Sequence, residues 1–241
     1  MNFKELKEVL IIYKLDDVEI NEIEHIVGHI FKHPEFQKRI TDKYPHHGKM
    51  TLGLHILEDV ILTYKFSKIY LSKEKSSNYR LDLALKIAMF HDLYTMPWQN
   101  NAFAKFKKFY NRHGFSHPVE AVINSCTWFK EDFIVEEDAR IIIDGIIHHM
   151  FPLPVVIMDN KIVNNRELNN FDLFKKLPEN IQELIFESSS RNKFLGLSWS
   201  KSKYLEGRIM AKADKKSSLR EFNNINGVIA LITGKNKSLK K

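Results

Sequence analysis

The chain has 241 residues, 44% of them hydrophobic and 28% charged, and carries a formal charge of +7. That length suits one large domain, and that apolar fraction excludes a disordered chain. No apolar run approaches the ~20 residues of a membrane helix, and the N-terminal MNFKELKEVLIIYKLDD lacks the pattern of a cleaved leader, so the expectation is a cytoplasmic protein with no membrane partner.

Helical periodicity dominates the chain and predicts an all-α fold. Phe3, Leu6, Val9, Leu10 and Tyr13 keep one face of a first helix, and Ile20, Ile23, Ile26, Val27 and Ile30 one face of a second. A third runs from about Thr51 to Leu71, with Leu54, Leu57, Ile61, Tyr64 and Ile69 as core. Leu81 to Asp92 reads as a short buried helix, and Ala102 to Tyr110 as a further helical segment that Gly114 ends. Pro118 suits the first position of the next helix, where its missing N–H costs nothing. Another helix spans about Glu136 to Met150 and is stopped by Phe151-Pro-Leu-Pro154. Val155–Met158 and Lys161–Val163, flanking Asp159-Asn160, offer a small β-hairpin near 155–165. Phe171–Glu187, Tyr204–Phe222 and Ile225–Thr233 read as the last helices. The expected organisation is N-terminal helices over 1–34, a main domain over 35–234 with an insertion at about 155–199, and a basic tail over 235–241.

The tail explains much of the charge. Four of the 37 basic residues (Lys235, Lys237, Lys240 and Lys241) lie there without an acid, and without them the surplus over 30 acidic residues is three. A nucleic-acid partner needs a basic face with aromatic residues, so it is not indicated, although the tail leaves it open.

Cys126 is the only cysteine, which excludes an intrachain disulfide and a Cys-based zinc site. Eleven histidines remain. His25, His29 and His33 recur every four residues, but without the Glu that a zincin places beside the first His, and read as a polar stripe. The others are more specific. His55, His91-Asp92 and His148-His149 lie on or at the ends of strongly apolar helices, with His46, His47, His113, His117 and Asp214 in the same order along the chain. Burying several imidazoles costs free energy unless hydrogen bonds or a metal satisfy them, and several such sites at core-helix ends point to one shared cavity. Donors of nitrogen and oxygen without sulfur suit zinc, iron, manganese, nickel or cobalt.

The order His … His-Asp … His … His … Asp resembles the HD superfamily of metal-dependent phosphohydrolases, and the resemblance extends beyond the dyad. HPEFQKR … HHGKMTLGLH, ALKIAMFHDLYTMPW, HGFSHPVEAVINS, IIIDGIIHHMFPLP and RIMAKADKKSSL are similar, in order, to segments of small bacterial HD-domain proteins, and they span about Phe36 to Leu219. The resemblance implies an HD-type helical bundle. It implies His55, His91, Asp92 and Asp214 as the basic metal site, and His117 with His148 or His149 as the additional ligands of a two-metal branch. His149 is the better match, because His-Met-x-Pro-Leu follows the family pattern. Glu58 and Asp59 are either acids that orient ligand histidines or the solvent side of their helix. The acidic run of alarmone hydrolases after the dyad is missing, as is the Gly-Tyr-Pro signature of cyclic di-guanylate phosphodiesterases.

The implied function is hydrolysis of a nucleotide or another small phosphate ester. Asp92 would orient or deprotonate the attacking water and His113 would protonate the leaving group. Tyr94 and Trp98 are candidates to flank a base, and Lys215 or Arg208 to neutralise phosphate. Two rivals belong to other classes: a di-iron oxygenase of HD type, and a module that binds a nucleotide or metal without turnover. A homo-oligomer is left open.

Overall fold

The computed structural model describes residues 13–41, 43–46, 51–73, 78–95, 113–156 and 171–221. The first predicted helix, the segment Ala102–Tyr110, the hairpin arm Lys161–Val163, the helix Ile225–Thr233 and the tail lie wholly or almost wholly outside these residues, as do His47 and Trp98.

The fold is mostly helical with one small sheet. In chain order the helices are α1 (Asp17–Lys32), α2 (Pro34–Arg39), α3 (Leu52–Lys73), α4 (Leu81–Phe90), α5 (His113–Trp128), a 3-10 turn (Lys130–Phe133), α6 (Glu136–Ile147), α7 (Phe171–Phe174), α8 (Glu179–Ser189) and α9 (Leu205–Glu221). None of the described helices is long and apolar enough to cross a membrane.

α1 starts where its sequence directs. Asp16 and Glu19 form a reciprocal capping box, each side chain accepting from the other's backbone N–H at 2.9 and 3.0 Å. Its buried stripe of Ile20, Ile23, Val27, Ile30 and Phe31 packs on α4. His33 ends α1 and caps α2, its Nδ1 accepting from Glu35 N at 3.2 Å.

α4 is central. Leu83, Ala84, Leu85, Ile87, Ala88, Met89 and Phe90 are all buried, so apart from Asp82 and Lys86 it is apolar and needs neighbours on most sides. α1, α3, α5, α6 and α9 supply them. Buried residues from Leu15 to Met210 form one hydrophobic cluster around it. His91, the next residue, is the C-cap, so the end of α4 delivers the His91-Asp92 pair into the middle of the molecule.

α3 and α9 lie along α4 and along each other. The buried face of α3 runs through Tyr64 and Thr63 to Ser67, whose hydroxyl donates to Thr63 O at 2.6 Å. Ile69, expected in the core, is two residues past that face and is exposed. Gly53 lets the first turn of α3 approach the end of α2, because a Cβ there would stand 2.8 Å from Ile40 N. α6 and α9 cross equally closely: a Cβ on Gly207 would lie 2.6 Å from Gly145 Cα. Asp214 follows Gly207 by two helical turns, and His149 follows Gly145 by about one, so this crossing sets how near they come.

Two local expectations are corrected. Pro118 stands inside α5, which is already helical at His113, and Gly114 is part of that helix. The predicted helix Phe171–Glu187 is two, α7 and α8, because Pro178 lacks an N–H and disfavours helical geometry in the residue before it. β-structure does begin at Val155, and the expected hairpin partner Lys161–Val163 lies outside the described residues; Val155–Val156 (β1) pairs with the distant Leu197–Ser198 (β3) in an antiparallel sheet completed by Lys193–Phe194 (β2) in the order β1-β3-β2. β1 also packs against α5.

Candidate metal centre

Seven helix-borne or helix-end side chains converge at the centre of the bundle. α3 contributes His55 and, one turn later, Asp59; the end of α4 contributes His91 and Asp92; α5 contributes His117; the residues after α6 contribute His149; and α9 contributes Asp214. All are buried. His46, ahead of α3, stacks its ring on His55 with centroids 4.1 Å apart.

Asp92 is the hub. Its Oδ2 lies 3.8 Å from His55 Nε2 and 3.7 Å from His91 Nε2, while its Oδ1 lies 3.3 Å from His117 Nε2 and 3.7 Å from His149 Nε2. One carboxylate thus turns an oxygen to each of two histidine pairs. On the first side, Asp59 Oδ2 is 3.1 Å from His55 Nε2 and 3.4 Å from His91 Nε2, and Asp214 Oδ1 is 3.6 Å from His55 Nε2. Three overlapping sets bring their donor atoms within 4.8 Å of one another: His55, Asp59, His91 and Asp214; His46, His55 and Asp92; and His91, Asp92 and His149.

The backbone fixes the tautomers. Nδ1–H of His91 donates to Ala88 O at 2.8 Å, that of His117 to His113 O at 2.8 Å, and that of His149 to Ile146 O at 2.7 Å. A neutral imidazole that donates from Nδ1 carries its lone pair on Nε2. These three rings therefore aim lone pairs inward, and His117 Nε2 and His149 Nε2 stand 3.1 Å apart. Two lone pairs at that distance repel unless a cation or a proton lies between them. Among the described residues, buried His91 Nε2, Asp59 Oδ2 and Asp92 Oδ1 also have no hydrogen-bond partner. Orphaned atoms of this kind are expensive in a protein interior, and they are the atoms a metal ion would take. The donor set, nitrogen and carboxylate oxygen without sulfur, fits a divalent transition metal.

The electrostatics agree. Burial alone would raise the pKa of Asp92, but His91, His117 and His149 outweigh it and hold the carboxyl well below its usual range. Burial likewise opposes ionisation of Asp214, yet His55, His149 and His91 bring it down to about 2. Ser218 Oγ donates to Asp214 Oδ1 at 3.1 Å. Asp59 goes the other way: burial, helped by Asp214 and Asp92, outweighs His55 and raises it well above the carboxylate range. Its Oδ1 accepts from the Ser217 hydroxyl. Burial pulls His117 down, but Asp92 overcomes this and its pKa is raised. Burial, followed by His91 and His117, drives His149 down to about 3. A proton on His117 does for the Asp92 carboxylate what a cation would.

The structure separates the expected site residues. His55, His91, Asp92, His117, His149 and Asp214 come together, and Asp214 is buried although Lys212, Lys215 and Lys216 around it are exposed. His148 does not join them. Its Nε2 donates to Ser188 O at 3.0 Å and lies 3.9 Å from Asp144 Oδ1, because the turn after α6 points the two neighbouring rings to different sides. His113 is buried and belongs to none of the three donor sets; it stacks on His117 at 4.6 Å and meets the Tyr94 ring edge-on at 4.5 Å. Lys215 Nζ stands 5.8 Å from the centroid of the Phe151 ring, and Arg208 is exposed. The N-terminal histidines have other tasks: His29 Nε2 bonds Asp132 Oδ2 at 2.9 Å, His33 caps α2, and His25 is exposed.

Two members of the centre, Asp59 and His46, are absent from the ligand set inferred above. Asp59 follows His55 by four residues, which places both on one helix face, but spacing alone leaves open whether it orients a ligand or faces solvent. His46 carries no such spacing. No protein-family model, curated protein or solved structure matches the chain.

Proposed function

We propose that the chain is an HD-type phosphohydrolase with two divalent metal ions, acting on a nucleotide or another small phosphate ester. The observation that supports this reading is the split of the Asp92 carboxylate between the His55–His91 and His117–His149 pairs. A carboxylate shared between two sets of nitrogen donors would serve two cations at once, the arrangement by which a two-metal site would act on a phosphate ester. His55, His91, Asp214 and Asp59 would hold one ion, His117 and His149 the other, with Asp92 between. When bound, such ions supply Lewis acidity toward a phosphoryl oxygen and lower the pKa of water.

The chain's own residues do the rest. Asp92, ionised at neutral pH, accepts a proton from, or orients, a water beside it. Three carboxylates balance most of the charge of two divalent cations, and the remaining positive charge suits an anionic ester. His113, stacked behind His117, is the proposed proton donor to the leaving oxygen.

The test is a screen of protein loaded with manganese, iron, cobalt or zinc against phosphomonoesters, cyclic nucleotides and dinucleotides. Wild type should hydrolyse at least one of them, and Asp92→Ala should lose at least ~100-fold, the lower range for an acid–base group. Equal rates for the two proteins on every substrate would end the hydrolase reading. Two irons with oxygen consumption would move the assignment to an oxygenase.

A further inference from the structure

The backbone that follows His91 and Asp92 is tied by side chains from three other parts of the chain. Leu93 O accepts from Asn124 Nδ2 at 2.6 Å, and the same amide reaches Thr95 Oγ1 at 3.2 Å. Tyr94 O accepts from an Arg39 guanidinium nitrogen at 2.6 Å. Thr95 N donates to Glu120 Oε1 at 2.8 Å, and Thr95 O accepts from the Tyr44 hydroxyl at 3.1 Å. Leu93 N and Tyr94 N close back on Phe90 O and Asp92 O at 3.1 and 2.8 Å. Every backbone donor and acceptor from Leu93 to Thr95 is therefore engaged, which is unusual for a segment outside regular structure.

Arg39 is the member of this clamp that folding alone does not explain. It is fully buried at the end of α2, with its guanidinium 5.2 Å from the Tyr44 ring centroid and 4.9 Å from that of Trp128. A second guanidinium nitrogen donates to Glu35 O, the Glu35 carboxylate is 3.6 Å away, and Nε has no hydrogen-bond partner among the described residues. A buried cation gives a fold little that a well-packed apolar side chain would not. What only arginine offers here is a planar fork that reaches two carbonyls at once. One of them is Tyr94 O, two residues from Asp92. Tyr94 in turn meets the His46 Nδ1 through its hydroxyl at 3.4 Å and His113 through its ring.

We propose that Arg39 is a positioning residue: by holding Tyr94 O it fixes the turn after α4 so that Asp92 presents one oxygen to each pair of histidines. The inference deepens the metal-centre reading and rests on it for its consequence, but the clamp is also observable without metal. Asn124 and Tyr44 secure the same turn from α5 and from the segment before α3.

Two variants test it, Arg39→Lys, which loses the fork, and Tyr44→Phe, which loses only the hydroxyl and keeps the ring over Arg39. Cobalt(II) titration followed by absorption reads the centre. Long-range proton–nitrogen spectra of the metal-free protein read the imidazole nitrogens of His91, His117 and His149. Thermal unfolding reads the fold. Arg39→Lys should bind cobalt about tenfold or more weakly, the usual effect of removing a group that orients a ligand, and should shift the His117 and His149 resonances. Tyr44→Phe should move both readouts the same way by less, and it decides the matter if Arg39→Lys does not fold. Folded variants with lowered Tm but unchanged cobalt affinity and unchanged imidazole shifts would overturn the proposal. Should wild type bind no cobalt while the variants still shift the imidazoles, the metal reading falls and the positioning role stands.

Discussion

His148 and His149 are adjacent in sequence and differ in everything that follows. His149 gives Nδ1–H to Ile146 O and keeps its Nε2 lone pair for the centre. His148 spends its Nε2–H on Ser188 O, and burial lowers its pKa to about 4, so it stays neutral there. His149→Ala should therefore lower metal bound per chain with a modest change in Tm. His148→Ala should leave metal content intact and cost about 1–3 kcal/mol of stability, because Ser188 O is left buried without its donor. Elemental analysis beside thermal unfolding separates the two. The same logic explains why a pair of histidines cannot be resolved by spacing: they lie one and two residues past the end of α6, where the backbone no longer follows a fixed period.

Among the elements, the 3-10 turn between α5 and α6 carries a junction of its own. Asp132 accepts from His29 of α1 at 2.9 Å and pairs with Lys86 of α4 at 2.8 Å. Burial would raise its pKa, but His29 and Lys86 outweigh that and lower it. A carboxylate with a depressed folded-state pKa stabilises the fold above its unfolded pKa, and that stability is lost as pH falls through the folded value. Asp132→Asn should thus lower Tm at pH 7, and its gap to wild type should close as pH falls below about 4. A gap that persists unchanged into acid would show that packing, not charge, is what Asp132 contributes. At this scale much was readable beforehand. The capping box of α1, the stripe of Ile20, Ile23, Val27 and Ile30, and the apolar run of α4 each follow from periodicity and end chemistry. Pro118 was misread because proline is most at home in a first turn, and the helix around it is held by burial from His113 to Cys126.

For the molecule as a whole, the centre is where separate parts of the fold meet. Its donors come from α3, α4, α5, α9 and the turn after α6. Anything bound there stabilises all of them together, by about 2.7 kcal/mol at a ligand concentration of 100 Kd. Adding manganese or zinc to chelator-treated protein should raise Tm in a concentration-dependent way, and the rise should vanish in Asp92→Ala. A wild-type Tm indifferent to metal would count against a site in this cluster.

Periodicity and composition by themselves determined that the chain is helical, that a single cysteine leaves nitrogen and oxygen as the donors for any metal, and that His91-Asp92 ends a strongly apolar helix. These are local properties: a 3.6-residue repeat states which face is buried, and a cap states where the helix stops. Only the tertiary structure decided that Asp59 faces the centre rather than solvent, that His149 rather than His148 joins it, and that β1 pairs with β3. Each depends on a partner far along the chain, as Asp59 does on the Ser217 hydroxyl 158 residues away. A buried face does not encode which buried face it will meet; that is settled by how α3, α4 and α9 pack, and by the close crossing of α6 and α9 at Gly145 and Gly207.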